Sequence, residues 1–227
     1  MFAVPFSVRL NRARLALALL PAALLCVAPA AHAQFGAPST TPVHDASALK
    51  PPAGARVAII EFEDLECPDC ANANSLLKEA AAKYNIPWVR HDFPLPMHNW
   101  SFQAAVNARF FDTKSQALGN EYRDSVFANQ ISIETPAELQ QFTQRFADAH
   151  KVALPFAIDP MGKLAQEVKA DYALGQKIGI EHTPTIWIVT NAAHAAPFVE
   201  VVDRSKLFQL IDQAEAEAKR YEAGGRE

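Results

Sequence analysis

The apolar pattern predicts a strand, a helix and a second strand near the middle of the chain. The run Val57–Phe62 is almost continuously apolar, as expected of a central parallel strand buried on both faces. An apolar stripe at helical spacing follows: Cys70, Ala73, Leu77, Ala80 and Tyr84. Pro87 ends this helix, because proline lacks a backbone donor and restricts the residue before it. Trp88–Phe93 is a second strand, so these elements form a right-handed βαβ unit.

The pattern between residues 99 and 178 is helical. Four segments place apolar residues at helical spacing: Asn99–Asp112, Asn120–Asn129, a helix after Thr135 and a helix that opens at Asp159-Pro160. Thr135-Pro136-Ala137-Glu138 is a capping box with proline at the first helical position, which marks the start of the third helix. Aromatic residues at this spacing indicate core packing rather than a cofactor site.

Strands return near the end of the chain. Thr185–Thr190 and Phe198–Val202 are predicted to pair as an antiparallel hairpin, and Lys206–Tyr221 to form the last helix. The chain is therefore of the α/β class, with a βαβ unit, a helical insertion and a ββα unit. The predicted boundaries are 56–97 for the first half of the fold, 98–178 for the insertion and 179–227 for the second half.

The first 33 residues have the pattern of a secretory signal peptide. Arg9, Arg12 and Arg14 precede the apolar run Leu15–Ala28, and Ala31-His32-Ala33 is a small-residue cleavage signal. A retained membrane anchor is the alternative, but the apolar run is shorter than the roughly 20 residues of a spanning helix. We expect a periplasmic or otherwise exported protein, cleaved near Ala33.

Composition narrows the class of partner. Residues 34–55 are rich in Pro, Ala, Ser and Thr and show no apolar period, so we expect a flexible linker there. The formal net charge of −4 becomes more negative when the arginines of the signal peptide are removed. A mildly acidic chain argues against nucleic acid or an anionic membrane as a partner. We expect a monomer.

Cysteine usage is the sharpest constraint on function. Of the three cysteines, Cys26 lies in the predicted signal peptide, so the exported chain keeps Cys67 and Cys70. One pair is too few for a secreted scaffold held by several disulfides. Two thiols three residues apart at the start of a helix can close a disulfide, and the helix N-terminus favours a thiolate there. Cys67 is the expected attacking thiolate and Cys70 the resolving thiol, while Pro68 suits the first helical position.

Two other uses of the cysteine pair stay open. A closed zinc site needs four ligands, but the chain has no second cysteine pair. Five of its seven histidines follow the cysteine pair and show no ligand spacing: His91, His98, His150, His182 and His194. A purely structural disulfide would close a very small loop and add little stability. We expect no metal and no bound cofactor, since the Cys67–Cys70 disulfide would itself be the redox group.

Glu61 and the segment Thr183-Pro184-Thr185 are further candidate site features. Glu61 lies inside an apolar strand, six residues before Cys67, so burial is expected to raise its pKa. Such a carboxyl group, lying beneath the thiols, could relay the proton of Cys70. The alternative is a solvated carboxylate at a strand edge. Pro184 precedes a predicted strand, and proline is ordinarily found at the first residue of a strand or on an edge.

With these residues in place, the chain resembles the DsbA-like branch of the thioredoxin superfamily. The similarity spans Val57 to about Tyr221 and rests on three segments: Glu61–Cys70, Phe93–His98 and Gly179–Thr185. It implies the thioredoxin fold (βαβ then ββα) with an inserted helical domain.

The resemblance also implies roles for the site residues. Cys67 would be the nucleophile and Cys70 the resolving thiol, and the peptide bond before Pro184 would be cis. The backbone of Thr183 would then pair with an extended client peptide. The family shares an acid at the position of Glu61. His98 lies in a recurrent loop of the family without a known role, and His182 is either near the active site or a solvated loop histidine.

Asp69 departs from the family pattern. Strongly oxidising members usually carry His between the cysteines, where it helps to stabilise the thiolate. Here Asp69 stands in that place, with Glu63, Asp64 and Glu66 close in sequence. Negative charges disfavour a thiolate, so we expect them to raise the pKa of Cys67 and weaken the oxidant. Oxidation and reduction or isomerisation therefore both stay open as the direction of exchange.

The leading hypothesis is an exported protein disulfide oxidoreductase. It would exchange the Cys67–Cys70 disulfide or dithiol with cysteine-containing exported polypeptides, and a membrane redox partner would recycle it. The alternative is a redox-inert chaperone or peptide-binding module with the same fold. Peroxide reduction ranks last, because it needs an activating arginine and Arg90 is the only nearby candidate in sequence.

Overall fold

A four-stranded sheet organises the part of the chain that the structure, a computed structural model, describes: residue 2 and residues 40–192 and 197–224. The predicted signal peptide, apart from Phe2, and residues 34–39 lie outside the described residues. The strands and helices of the fold belong to the unit Pro38–Glu227. No helix among its described residues is both long enough and apolar enough to cross a bilayer.

Strand β1 (Val57–Glu63) lies at the centre of the sheet and is buried along its whole length. It pairs in parallel with β2 (Trp88–Asp92) and antiparallel with β3 (Thr185–Thr190). Strand β4 (Phe198–Glu200) pairs antiparallel with β3, so the order across the sheet is β2-β1-β3-β4. The predicted βαβ and ββα units are confirmed, although β4 ends two residues earlier than expected.

Helices α1 (Pro68–Tyr84) and α6 (Leu207–Gly224) cover one face of the sheet. Side chains of both helices pack here against side chains of β1 and β3. The helices contribute Ala73, Leu77, Ile211 and Ala214, and the strands contribute Ile59 and Ile186. Helix α1 ends where Asn85 adopts a left-handed conformation (φ 52°) ahead of Pro87. Helix α6 continues three residues beyond the predicted end at Tyr221.

Four helices join β2 to β3, as predicted: α2 (Ser101–Asp112), α3 (Gln116–Asn129), α4 (Pro136–Ala149) and α5 (Lys163–Ile178). The capping box of Thr135 and Glu138 is present at α4. Helix α3 begins four residues earlier than predicted, because the Ser115 hydroxyl caps it by accepting from Leu118 N. Helix α5 begins at Lys163 rather than Asp159, because Gly162 has φ 70° and interrupts helical geometry.

Helix α5 also covers the second face of the sheet. The Tyr172 ring stacks on Phe93 at a centroid distance of 4.5 Å, and Ile178 is buried with the side chains of this face. At Gly175 a Cβ atom would lie 2.6 Å from the Phe93 ring, so only glycine allows this approach. The last of the inserted helices is thus also part of the sheet's packing.

The flexible linker expected at residues 34–55 is wrong for residues 41–49, which lie against the fold. Leu49 is 2% exposed and packs with β1 and β3 residues, and Val43 and Ala48 pack beside it. His44 N donates to Ile178 O at 2.7 Å. We call residues 41–49 the N-terminal strap. Its few apolar side chains have no helical or strand period, and composition alone therefore suggests a linker.

Candidate active site

The cysteine pair lies where β1 passes into α1. Cys67 is the N-cap residue of α1, with extended backbone, and its N–H donates to Asp64 O at 3.0 Å. Pro68 occupies the first helical position, where no backbone donor is needed. Cys67 is 7% exposed and Cys70 is fully buried one turn further on, and both are free thiols.

The pKa values of the two thiols are shifted in opposite directions. The pKa of Cys67 is lowered to about 6, first by a hydrogen bond with the Cys70 thiol and also by the backbone N–H groups of Cys70 and Asp69 at the helix start. Burial raises the pKa of Cys70 well above its usual value, and the thiol of Cys67 and the charge of Glu61 raise it further. This asymmetry supports the predicted roles, with Cys67 as nucleophile and Cys70 as resolving thiol.

Thr183, the residue before Pro184, lies directly against Cys67. The Thr183–Pro184 peptide bond is cis, as the resemblance implied, and Thr183 O accepts from Cys67 Sγ at 3.4 Å. The turn is held by Thr185, whose hydroxyl donates to His182 O at 2.7 Å. His182 itself is exposed and lines a cavity of about 250 Å³ together with Pro184 and Asp69. His182 therefore lies beside the site rather than away from it.

Glu61 is fully buried in β1, so the alternative of a solvated edge carboxylate is wrong. Its Oε2 accepts from Trp88 Nε1 at 2.9 Å, while Oε1 has no hydrogen-bond partner among the described residues. Burial, with a contribution from the neighbouring charge of Glu63, raises the pKa of Glu61 to about 8. The charge of Glu61 reaches the Cys70 thiol, whose pKa it raises. A carboxyl group that titrates near neutrality can accept or release the proton of Cys70.

The expected rise in the pKa of Cys67 from acidic neighbours is wrong, because each of these acids has its own partner. Glu63 accepts three hydrogen bonds from Arg90 at 2.8 to 3.1 Å. Glu66 Oε2 accepts from the N–H groups of Trp100 and Ser101 at 2.6 and 3.0 Å, at the N-terminus of α2.

The remaining two acids, Asp64 and Asp69, are also partnered. Asp64 accepts from Leu95 N at 2.6 Å and contacts His98 Nδ1 at 2.7 Å, which gives His98 a structural contact. Asp69 is exposed and forms an ion pair with Arg204 at 2.6 Å. The charges that are adjacent in sequence are therefore compensated in the fold.

Sequence reasoning missed two residues of the site, Gln130 and Arg204, and did not predict that Glu66 caps α2. Gln130 donates to the carbonyls of Leu65 and Cys67 at 2.8 and 3.1 Å, and so fixes the cysteine turn to the end of α3. Arg204 reaches Asp69, and Glu66 caps α2. No local pattern identifies such partners, since Gln130 and Arg204 are distant in sequence from the cysteines.

The guanidinium of Arg90 is hydrogen-bonded to neighbouring side chains, which argues against peroxide reduction. Its guanidinium contacts Glu63, Asp124 (3.0 Å) and Asn74 (3.2 Å), and it is 9% exposed. It is therefore not available to activate a peroxide beside Cys67. No group of three or more His, Cys, Asp or Glu side chains within the described ranges is arranged to hold a metal ion.

The fold and this site define a class of protein. Residues 53–205 match the family described as Thioredoxin, and the chain belongs to that family. It is similar to the solved structure of alpha-DsbA1 from Wolbachia pipientis, with 17% identity and a TM-score of 0.61 over 77% of this chain and 92% of that one. It is also similar to the thiol-disulfide exchange protein alpha-DsbA2 of the same organism, with 15% identity and a TM-score of 0.55 over 72% and 84%. The fold is the DsbA-like form of the thioredoxin fold.

One curated relative matches over a longer stretch of the chain than the family match at residues 53–205. The chain is 27% identical over 187 residues to the Na(+)/H(+) antiporter NhaA 3 of Salinispora tropica. The match covers 81% of this chain and 27% of that protein, so the chain spans about a quarter of the relative's length.

Proposed function

We propose that the protein is an exported thiol–disulfide oxidoreductase that exchanges the Cys67–Cys70 disulfide or dithiol with cysteines of exported polypeptides. One observation carries the proposal: a slightly exposed thiol of lowered pKa at a helix N-terminus lies over a fully buried second thiol. The thiolate is the attacking species in disulfide exchange. The likeness to alpha-DsbA2 of Wolbachia pipientis, a thiol-disulfide exchange protein, supports the same activity.

Disulfide exchange needs only the two cysteines of the protein and the cysteines of the client. When the protein donates its disulfide, a client thiolate attacks Cys67 Sγ, the Cys67–Cys70 bond breaks and Cys70 takes a proton. A second client thiolate then attacks the client sulfur of the mixed disulfide and releases Cys67 as the thiolate. Two electrons pass from client to protein, and the reverse sequence reduces a client disulfide. Glu61 is suited to supply or remove the proton of Cys70.

Thr183 and Pro184 lie where a client would contact the protein, because Cys67 Sγ meets Thr183 O. Export is supported by the basic, apolar and small-residue segments of residues 1–33. A membrane redox partner would return the pair to its working state after each exchange. No bound cofactor is needed, since the cysteine pair itself accepts two electrons as the disulfide and donates them as the dithiol.

The first experiment is the equilibrium of the Cys67–Cys70 pair with glutathione, followed by mass spectrometry of alkylated samples. The dithiol and one oxidised glutathione give the disulfide and two reduced glutathiones. A potential near about −120 mV would make the protein a disulfide donor, and one near about −200 mV or below would make it a reductant or isomerase. The absence of an intramolecular disulfide at every poise would overturn the proposal.

A matched variant separates this function from a redox-inert chaperone. We expect Cys67→Ala/Cys70→Ala to fold but to lose all exchange with a reduced, unfolded model client. A chaperone would keep its ability to prevent client aggregation in the same variant. Retained disulfide formation in the client would contradict the proposal.

A further inference from the structure

Asp69 is placed to oppose the reactivity of Cys67. It lies between the two cysteines in the first turn of α1, where the helix N-terminus otherwise favours a thiolate. Asp69 follows Cys67 by two positions, and a negative charge near a thiol disfavours its thiolate. Glu63, Asp64 and Glu66 are held by neighbours within the fold. Asp69 is exposed, and among the described residues its carboxylate has one ion-pair partner.

That partner is Arg204, which reaches Asp69 across 135 positions of the chain. One guanidinium nitrogen donates to Asp69 Oδ1 at 2.6 Å and the other to Asp69 O at 3.0 Å. Arg204 belongs to the short 3-10 turn Arg204–Lys206 between β4 and α6, and Asp203 caps this turn by accepting from Ser205 N at 3.0 Å. The guanidinium therefore meets both the side chain and the backbone of Asp69 from a turn of fixed geometry.

Asp69 and Arg204 both line the cavity of about 250 Å³ described above. Two other titratable groups, Glu200 and His182, line it as well. The Glu200 carboxylate is taken by the N-terminal strap, since Thr41 donates to it from both its backbone N–H and its hydroxyl, the latter at 2.8 Å. It is therefore not a competing partner for Arg204. His182 is exposed, and its backbone carbonyl is used by Thr185.

We propose that Arg204 is a positioning residue of the exchange site, which neutralises Asp69 and thereby stabilises the Cys67 thiolate against an acid in its own motif. The inference rests on the proposed function and deepens it. Through this ion pair the turn after β4 helps to set the redox equilibrium of a cysteine pair that lies far away in sequence. An acidic residue between the cysteines is then compatible with an oxidising site.

Removal of Arg204 shifts two measurable quantities. The unmatched Asp69 carboxylate destabilises the thiolate, so the pH midpoint of Cys67 alkylation rises. Because the dithiol form loses stability relative to the disulfide, the reaction of the dithiol with oxidised glutathione to give the disulfide and two reduced glutathiones moves toward the disulfide. The pair is exposed, so we expect a change of about twofold to fivefold in each equilibrium, which shrinks at high salt.

The experiment compares Arg204→Met with Lys206→Met, which removes a cation from the same turn. Lys206 pairs with Asp203 at 3.8 Å rather than with the cysteine motif. We expect Arg204→Met to raise the alkylation midpoint and the disulfide fraction, Lys206→Met to match the unmodified chain, and Arg204→Lys to keep most of the effect. In the Asp69→Asn background, Arg204→Met should change neither quantity.

Three results would overturn the inference. Arg204→Met could behave like Lys206→Met, its shift could persist in the Asp69→Asn background, or the shift could be insensitive to salt. The proposed function fails separately, because it requires the unmodified chain to form the Cys67–Cys70 disulfide. If that chain forms the disulfide and Arg204→Met leaves both quantities unchanged, only the role of Arg204 is wrong.

Discussion

Glu61 and Glu63 are two buried carboxyl groups on the same strand with very different surroundings. Glu63 accepts three hydrogen bonds from Arg90, which supplies the positive charge that a buried carboxylate needs. Glu61 has one hydrogen bond, from the indole of Trp88, and one oxygen without a partner among the described residues. Such an arrangement favours the protonated form, which is what the proposed proton transfer between Glu61 and Cys70 requires.

The pH dependence of stability should report the buried Glu61. Its pKa of about 8 in the fold exceeds the value of about 4.3 in an unfolded chain, so the folded state binds more protons between these limits. The free energy of unfolding should therefore fall as the pH rises from about 4.3 to about 8, by at most about 1.4 kcal/mol per pH unit from this group. We expect Glu61→Gln to flatten this slope in urea unfolding at several pH values. Glu79→Gln, on the exposed face of α1, is the matched control and should leave the slope unchanged. Equal slopes for Glu61→Gln and the unmodified chain would contradict this account.

The cysteines should differ sharply toward a small alkylating reagent. With a pKa of about 6, Cys67 is largely a thiolate at pH 7, whereas Cys70 is buried and protonated. We expect the rate of iodoacetamide modification at Cys67 in the reduced protein to rise with pH about a midpoint near 6. Cys70 should stay unmodified in the folded chain, as peptide mapping would show. A midpoint near the usual value of about 8.5 would mean that the thiolate is not stabilised.

At the scale of elements, the cysteine turn is fastened to the helical insertion by side chains. Glu66 accepts from the first N–H groups of α2, and Gln130 donates to two carbonyls of the turn. The N-terminal N–H groups of a helix otherwise lack partners, and a carboxylate there also interacts favourably with the helix dipole. The link thus stabilises α2 and fixes the position of Cys67 together.

Glu66→Ala should weaken this link. We expect the free energy of unfolding to fall by about 0.5 to 2 kcal/mol, as for the loss of other helix caps. Chemical denaturation measured by circular dichroism provides the check, with Glu79→Ala as the control for removal of an exposed acid. If both variants lose the same stability, the cap contributes nothing beyond general charge.

The predictability of each element follows from how local its causes are. The limits of β1 and α1 were predicted closely, because a continuous apolar run and the sequence Asn85-Ile86-Pro87 mark them. The start of α5 was misplaced, because a left-handed Gly162 is invisible to apolar spacing. The site divides in the same way. Cys67, Cys70 and Glu61 are recognisable in one short motif, whereas the ion pair of Asp69 with Arg204 depends on tertiary packing.

At the scale of the whole molecule, the N-terminal strap connects distant parts of the fold. Leu49 is inserted among residues of β1 and β3, His44 binds the carbonyl of Ile178 at the end of α5, and Thr41 binds Glu200 on β4. The strap therefore contacts both the end of α5, which precedes Pro184, and the edge strand β4. Residues expected to be a spacer contribute to the packing that supports the site.

Leu49→Ala should test the strap directly. A Leu to Ala change at a fully buried position typically costs about 2 to 5 kcal/mol, and Leu49 is 2% exposed. We expect a loss in this range in equilibrium denaturation, whereas Lys50→Ala, at the adjacent exposed position, should change little. A loss below about 0.5 kcal/mol for Leu49→Ala would show that the strap is loosely held in solution.

The cysteine motif and its partners are far apart in sequence, so their contacts can form only after most of the chain has been synthesised. Thr183 meets Cys67 across 116 positions, and Arg204 meets Asp69 across 135. A nascent chain that has grown only to residue 180 contains both cysteines but none of these later contacts. The site that the cysteine motif shares with Thr183 and Arg204 is therefore completed only when nearly the whole chain is present.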